Sequence, residues 1–294
     1  MISTEYLGDM RTIDELITLI QGKPLDEQTF WAENYQAPWK RVFGGQVLAQ
    51  SLSAAYQTVD DDRWVHSLHA YFLLTGDIGI PIRLEVERVR DGGSFTTRRV
   101  VAKQNEDVIF ILSASFQKSQ PGFTHQIPMP NIIGPDHLRS DQELLDSYQK
   151  WLPNSVVESV LTRPFIFKPV ESLVPPRGEV RPPFRHVWLK AKDVVESNDL
   201  RIHQQLLTYV SDYNLLSTAT LPHTQEVFPK DLFMASLDHA MWFHRPFRVD
   251  DWLLFKIESP SASNSRGLTQ GHFFTQDGTL VATVVQEGLI RQKK

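Results

Sequence analysis

Three histidine neighbourhoods invite a chemical reading of this 294-residue sequence. His66 and His69 lie three apart, Asp238 and His239 are adjacent, and His239 and His244 lie five apart. All fall in stretches that read as β-strand, where successive side chains point to opposite faces. Odd separations therefore put the members of each pair on opposite sides. That argues against a shared metal and against an Asp–His couple, and favours packed or hydrogen-bonded histidines. Arg98-Arg99 alternates in the same way, so one of the two could meet a phosphate, while a solvated face is the plainer reading. Gly44-Gly45 does not form GxGxxG; it starts a helix and allows close packing, and its N–H groups could approach a ligand. The chain has no cysteine, which removes thiolate nucleophiles, disulfides and thiolate metal sites. It has no GxSxG elbow either. Taken singly, Asp212 inside a helix, Ser236 on a strand and Gln286 at a strand end read as satisfied structural polar groups.

The elements that would position these residues form a pattern of their own. Thr12 to Ile20 carries apolar residues at helical spacing and ends at Gly22 to Pro24. Thr29 to Tyr35 reads as a strand. After Gly44-Gly45 comes a helix whose small residues, Ala49, Ser51, Ser53, Ala54 and Ala55, suit close packing on a sheet. The period then changes to two, with strands expected at Trp64 to Leu74, Pro81 to Arg90, Ser94 to Gln104 and Asp107 to Gln117. Such local connections favour antiparallel pairing. Ser119 to Pro135, rich in proline and glycine, reads as a linker or surface loop, Asp136 to Trp151 as a charged exposed helix, and Pro175 to Pro183 as a second loop. A helix at Leu200 to Leu216 follows, then strands at Phe233 to His244, Asp251 to Ser259, Ser265 to Thr275 and Thr279 to Gln286, with a hairpin turn at Gln276-Asp277-Gly278. Ser67-Leu68 and Ser236-Leu237 begin the two meanders 169 residues apart, and Gln117 and Gln286 end them at the same separation. A duplicated helix-plus-sheet unit accounts for this spacing. Two such units can join their sheets edge to edge, with a site near the seam.

Several long stretches carry a family likeness: FGGQVLAQSL (43–52), HSLHAYFL (66–73), GGSFTTRRVVA (92–102) and SASFQ (113–117). SDYNLLSTATLPH (211–223), SLDHAMWFHRPF (236–247) and GHFFTQDGTLVATVVQEG (271–288) continue it. With these, the chain resembles the type II acyl-CoA thioesterases over nearly its whole length. The resemblance implies an α+β double hot-dog fold, in which two tandem helix-plus-antiparallel-sheet units form one continuous sheet. It implies an N-terminal unit at 1–120, a linker with helix at 121–155, and a C-terminal unit at 156–294 carrying the catalytic residues. It further implies an acyl-CoA substrate, no cofactor, no metal, and a catalytic trio of Asp212, Ser236 and Gln286. Position 236 is Ser where many relatives have Thr; the hydroxyl is kept and the rotamer-restricting methyl is lost.

Thioester hydrolysis needs a base, a nucleophile and stabilisation of an oxyanion. With no cysteine and no serine elbow, direct attack by water is favoured, with Asp212 as base and with Ser236 and Gln286 orienting the water. A non-catalytic acyl-CoA binding module and a hot-dog hydratase are the alternatives. The net charge of −5 provides no general attraction for nucleic acid or anionic membrane. The N-terminus lacks a signal-peptide pattern, no apolar run approaches the ~20 residues of a membrane span, and the sequence ends in RQKK rather than SKL. The expectation is a cytoplasmic enzyme without membrane insertion, assembled as a homodimer or homotetramer through exposed sheet edges, with an apolar tunnel for the acyl chain.

Overall fold

The computed structural model describes residues 11–173, 180–224 and 231–293. The first ten residues, positions 175–179 of the expected second loop, and the terminal lysine of RQKK lie outside the described residues. Helix α1 (Ile13–Ile20) opens with a capping box: the Thr12 hydroxyl accepts from Glu15 N–H, and the Glu15 carboxylate accepts from Thr12 N–H. Short strands β1 (Lys23–Pro24) and β2 (Thr29–Ala32) follow, then α2 (Gly44–Tyr56). The first meander is β3 (Arg63–Phe72), β4 (Ile82–Asp91), β5 (Phe95–Gln104) and β6 (Asp107–Lys118). Next come α3 (Asp141–Tyr148), α4 (Asn154–Thr162), β7 (Phe165–Pro169), β8 (Phe184–Ala191), α5 (Leu200–Ser211) and α6 (Leu215–Thr218). The chain closes with β9 (Leu232–Ser236), β10 (Asp238–Phe243), β11 (Leu253–Ser263), β12 (Arg266–Thr275) and β13 (Leu280–Gln292).

All the strands join one antiparallel sheet in the order β1-β2-β4-β5-β6-β3-β10-β13-β12-β11-β8-β7, with β9 also on β13. The two meanders meet where β3 pairs β10, with Leu68 opposite Met241 and Ala70 opposite His239. The expected edge-to-edge union is therefore one continuous sheet. Helices α2 and α5 pack against each other on its inner face. Gly45 through Tyr56 of α2 are all buried, as befits a helix covered on every side. The alanines and serines seen in the sequence are what let it approach both the sheet and α5.

The linker is more than a surface loop. Residues 119–138 run across the outer face of the second meander. Gln126 bonds Gly278 and Leu280, and the Trp188 indole N–H donates to Ile133 O at 2.9 Å. Met129, Ile132 and Leu138 cover Trp188, Leu254, Phe274 and Leu280. Strand β8 is thus buried on both faces, which removes the alternation that would have disclosed it in the sequence. The helix expected over 136–151 is shorter, α3, because a capping box at Ser140 and Glu143 starts it late. A second helix, α4, and strands β7 and β8 were not anticipated.

Candidate active site

The expected helix at 200–216 stops at Ser211. Asp212 is its C-cap rather than an interior residue, and Asn214 takes a left-handed conformation (φ 68°) that breaks the chain before α6. The break turns the Asp212 carboxylate towards the N-terminus of α2. Its Oδ2 accepts the Gly45 N–H at 3.0 Å. This approach needs both glycines. A Cβ on Gly44 would lie 2.6 Å from Asp212 Oδ2, and one on Gly45 would lie 2.1 Å from Tyr209 O. Phe43 closes the junction, with its ring 5.2 Å from Tyr209 and 4.7 Å from Tyr213.

Ser236 reaches the site through an irregularity. Ser236 pairs with Gly288 and Ala240 with Val285, so the register against β13 shifts by one residue between them. Leu237 N–H donates to Glu287 O, and the Asp238 carboxylate accepts Glu287 N–H at 2.7 Å. The expected single strand at 233–244 is therefore split into β9 and β10 by a bulge. In an unbroken strand Ser236 would share the outer face with Asp238 and Ala240. The bulge turns it inward, where His239, Met241 and Phe243 also lie buried.

Gln286 was read as a strand-end residue, but β13 runs on to Gln292 and Gln286 is completely buried mid-strand. Its Nε2 donates to Asp212 Oδ1 at 2.7 Å and to Ser236 Oγ at 2.8 Å. Ser236 Oγ is 3.5 Å from Asp212 Oδ1. The three side chains named from the sequence thus converge, with Gly45 N–H as a fourth member. Burial pushes the Asp212 carboxyl up to about 6, against the lowering effect of its bonds from Gln286, Gly45 and Ser236.

A cavity of about 650 Å³ opens on this group. Gly44, Asp212, Ser236 and Leu237 line it beside an apolar wall that includes Val47, Phe72, Ile109 and Phe110. Both halves of the chain therefore contribute surface. Gln286 lies behind Asp212 and Ser236, outside the lining.

The histidines take other places. His239 is fully buried with Nε2 3.0 Å from Ser211 Oγ, and burial pushes its pKa down to about 3, so it is neutral. Asp238, on the opposite face, pins the bulge. His66 and His69 do not face opposite ways as expected. A bulge between Val65 and Ser67 turns His66 outward to Ser115 Oγ at 2.8 Å, while His69 packs edge-on against Trp242 on the same face. Arg98 is buried in an ion pair with Asp91. No cluster of metal-binding side chains occurs among the described residues.

A family model described as acyl-CoA thioesterase matches residues 158–289, and one described as acyl-CoA thioesterase N-terminal domain matches residues 35–117. The chain is 41% identical to human acyl-coenzyme A thioesterase 8, over 97% of this chain and 91% of that protein. It is 40% identical to acyl-CoA thioesterase 2 of Haemophilus influenzae, over 95% of this chain and 98% of that protein. The chain belongs to the acyl-CoA thioesterase family.

The solved structure of acyl-CoA thioesterase II from Mycobacterium marinum superposes on this thioesterase with a TM-score of 0.78 at 40% identity, covering 95% of this chain and 99% of that one. A hot-dog protein from Alicyclobacillus acidocaldarius, 16% identical, superposes with a TM-score of 0.74 over 95% of this chain and 98% of its own, a likeness of fold. The fold of the thioesterase is the double hot-dog. Among the described residues no helix is long and apolar enough to cross a membrane.

The sequence reading missed the Gly45 N–H as a partner of the carboxylate, although Gly-Gly at a helix start was its signal. It also missed the bulge, which no residue type announces.

Proposed function

We propose that this thioesterase hydrolyses fatty acyl-CoA to the free acid and CoA by direct attack of water, with Asp212 as general base. The observation that carries this reading is the position of Asp212: a partly buried carboxylate with its pKa pushed to about 6, lining the cavity beside Ser236. Ionised, it takes a proton from water as the water oxygen bonds the carbonyl carbon. When the tetrahedral intermediate collapses and the C–S bond breaks, the same carboxyl returns the proton to the departing thiolate. Ser236 orients the water. Both amide hydrogens of Gln286 are spent on Asp212 and Ser236, so its part is to hold these two rather than to touch the water. Gly44, at the positive end of α2, lines the cavity, and its N–H is a suitable donor to the oxyanion. The apolar wall suits an acyl chain. With this reading goes a division of the chain into units 1–120 and 156–294 joined by 121–155, supported by the two matched stretches and by the meeting of β3 and β10.

The test is release of thiol from a series of acyl-CoAs of increasing chain length by the wild type and by Asp212→Asn. Loss of about a thousandfold in kcat is expected for the variant. Thiol release unchanged in Asp212→Asn would refute the base, and hydration of an enoyl-CoA without thiol release would refute hydrolysis.

A further inference from the structure

Four arginines line the cavity, Arg41, Arg163, Arg181 and Arg185, against the carboxylates Asp141 and Asp212. Arg163 is committed to Asp141. Among the described residues Arg185 has no such partner. It occupies the inner-face row of β8 that continues as Val187, Leu189 and Ala191, all buried and apolar. Its Nη1 donates to Asn214 Oδ1 at 3.0 Å and to Ser217 Oγ at 3.3 Å, both neutral. Glu171 makes itself felt electrostatically, yet its two oxygens are taken by the backbone and ring of His186.

The fully buried guanidiniums, unlike the partly buried Arg185, all meet carboxylates. Arg98 meets Asp91 at 2.6 Å, Arg163 meets Asp141, and Arg63 has Asp60 and Asp62 at 3.6 and 3.7 Å. A guanidinium partly withdrawn from water without an anion carries a cost that the counter-charge of a ligand would offset. Burial, with the neighbouring charge of Arg181, pushes the Arg185 pKa down to about 10. It stays protonated at neutral pH, and an arriving anion would relieve the strain of that charge.

We propose that Arg185, with the half-exposed Arg181 beside it, binds a phosphate of the CoA half of the substrate. An acyl-CoA has one apolar arm and one polyanionic arm. The cavity offers an apolar wall that includes Val47, Phe72, Ile109 and Phe110 and, from the second half of the chain, two cations without a carboxylate partner among the described residues, with Asp212 and Ser236 in the same lining. Guanidinium forks match phosphate oxygens in pairs. This assignment rests on the hydrolase reading for its substrate.

The test compares decanoyl-CoA with decanoyl-pantetheine, which presents the same thioester without phosphates. Arg185→Gln should raise KM for decanoyl-CoA about tenfold or more, leave kcat unchanged, and leave KM for decanoyl-pantetheine unchanged. Arg185→Lys should recover part of the loss and Arg181→Gln should show a smaller effect of the same kind. An equal penalty on both substrates, or none on the CoA thioester, overturns the assignment. Calorimetry of free CoA against pantetheine reads the same subsite without turnover. On the wild type CoA should bind at least tenfold more tightly, and equal binding overturns the assignment even where Arg185→Gln does not fold. Absence of thiol release from both thioesters, with CoA binding intact, would instead sink the hydrolase reading alone.

Discussion

The carboxylate of Asp212 is held largely out of bulk water, and a base of this kind weakens the fold that carries it. Its pKa is pushed from the usual 3.8 to about 6. A raised carboxyl contributes fully to stability below the unfolded value and loses that contribution as pH rises through the folded value. The shift amounts to on the order of 3 kcal/mol lost between about pH 4 and pH 7. Asp212→Asn removes the charge but presents one N–H to the Gly45 N–H, giving back about 1 kcal/mol. The inactive variant should therefore melt a few degrees higher than the wild type at pH 8 and show no gain at pH 4, as read by calorimetry. The same pKa sets the activity: kcat/KM should rise with pH through a midpoint near 6. Gln286→Leu removes the largest of the influences that lower the Asp212 pKa, so the acid limb should move to higher pH, with kcat reduced about hundredfold. An acid limb left where it was would exclude Gln286 from control of the carboxylate. None of these roles was legible from residue types alone. Asp212, Ser236 and Gln286 each look structural until a family pattern binds them together.

At the scale of elements, the site depends on three local departures from regularity: the α5 stop at Asp212, the bulge after Ser236 and the Gly-Gly entry to α2. Gly45→Ala places a methyl 2.1 Å from a main-chain oxygen of α5, which only separation of the two helices can relieve. It should cost about 3 kcal/mol or more in a urea melt. A variant as stable as the wild type would contradict the packing described. The meanders themselves were legible, because one face of β4, β5 and β6 is buried and the other solvated, so residues alternate. The stop at Asn214 was hidden because Leu215 and Leu216 continue the apolar spacing across it. The bulge was hidden because Ser236, Leu237 and Asp238 are ordinary strand residues whose registers differ only through partners fifty residues away. Strand β8 was missed for the opposite reason to β5: covered by the 119–138 segment outside and by helices inside, it has no solvated face to mark it.

At the scale of the molecule, the two halves are related in plan and unlike in equipment. Where α5 ends in Asp212, α2 ends in Gln57 as C-cap. At that end the Tyr56 hydroxyl donates to Gln204 and accepts Val65 N–H at 2.7 Å, while Gln204 Nε2 donates to Val65 O at 3.0 Å. The polar groups satisfy one another there, so the second seam is closed by its own side chains. The sheet ends in the short strands β1 and β7, whose outer edges lack strand partners among the described residues, and association through sheet edges leads us to expect a homodimer or homotetramer. Light scattering giving only the monomer mass would reject that expectation.

The junction of β3 with β10 also bears on how the protein is made. Strand β3 leaves the ribosome about 170 residues ahead of its neighbour, an interval of roughly ten to thirty seconds of synthesis. For that time the newborn N-terminal half carries a ten-residue strand with one bare edge. Translation speed and chaperone supply, rather than final stability, should then govern how much enzyme a cell recovers.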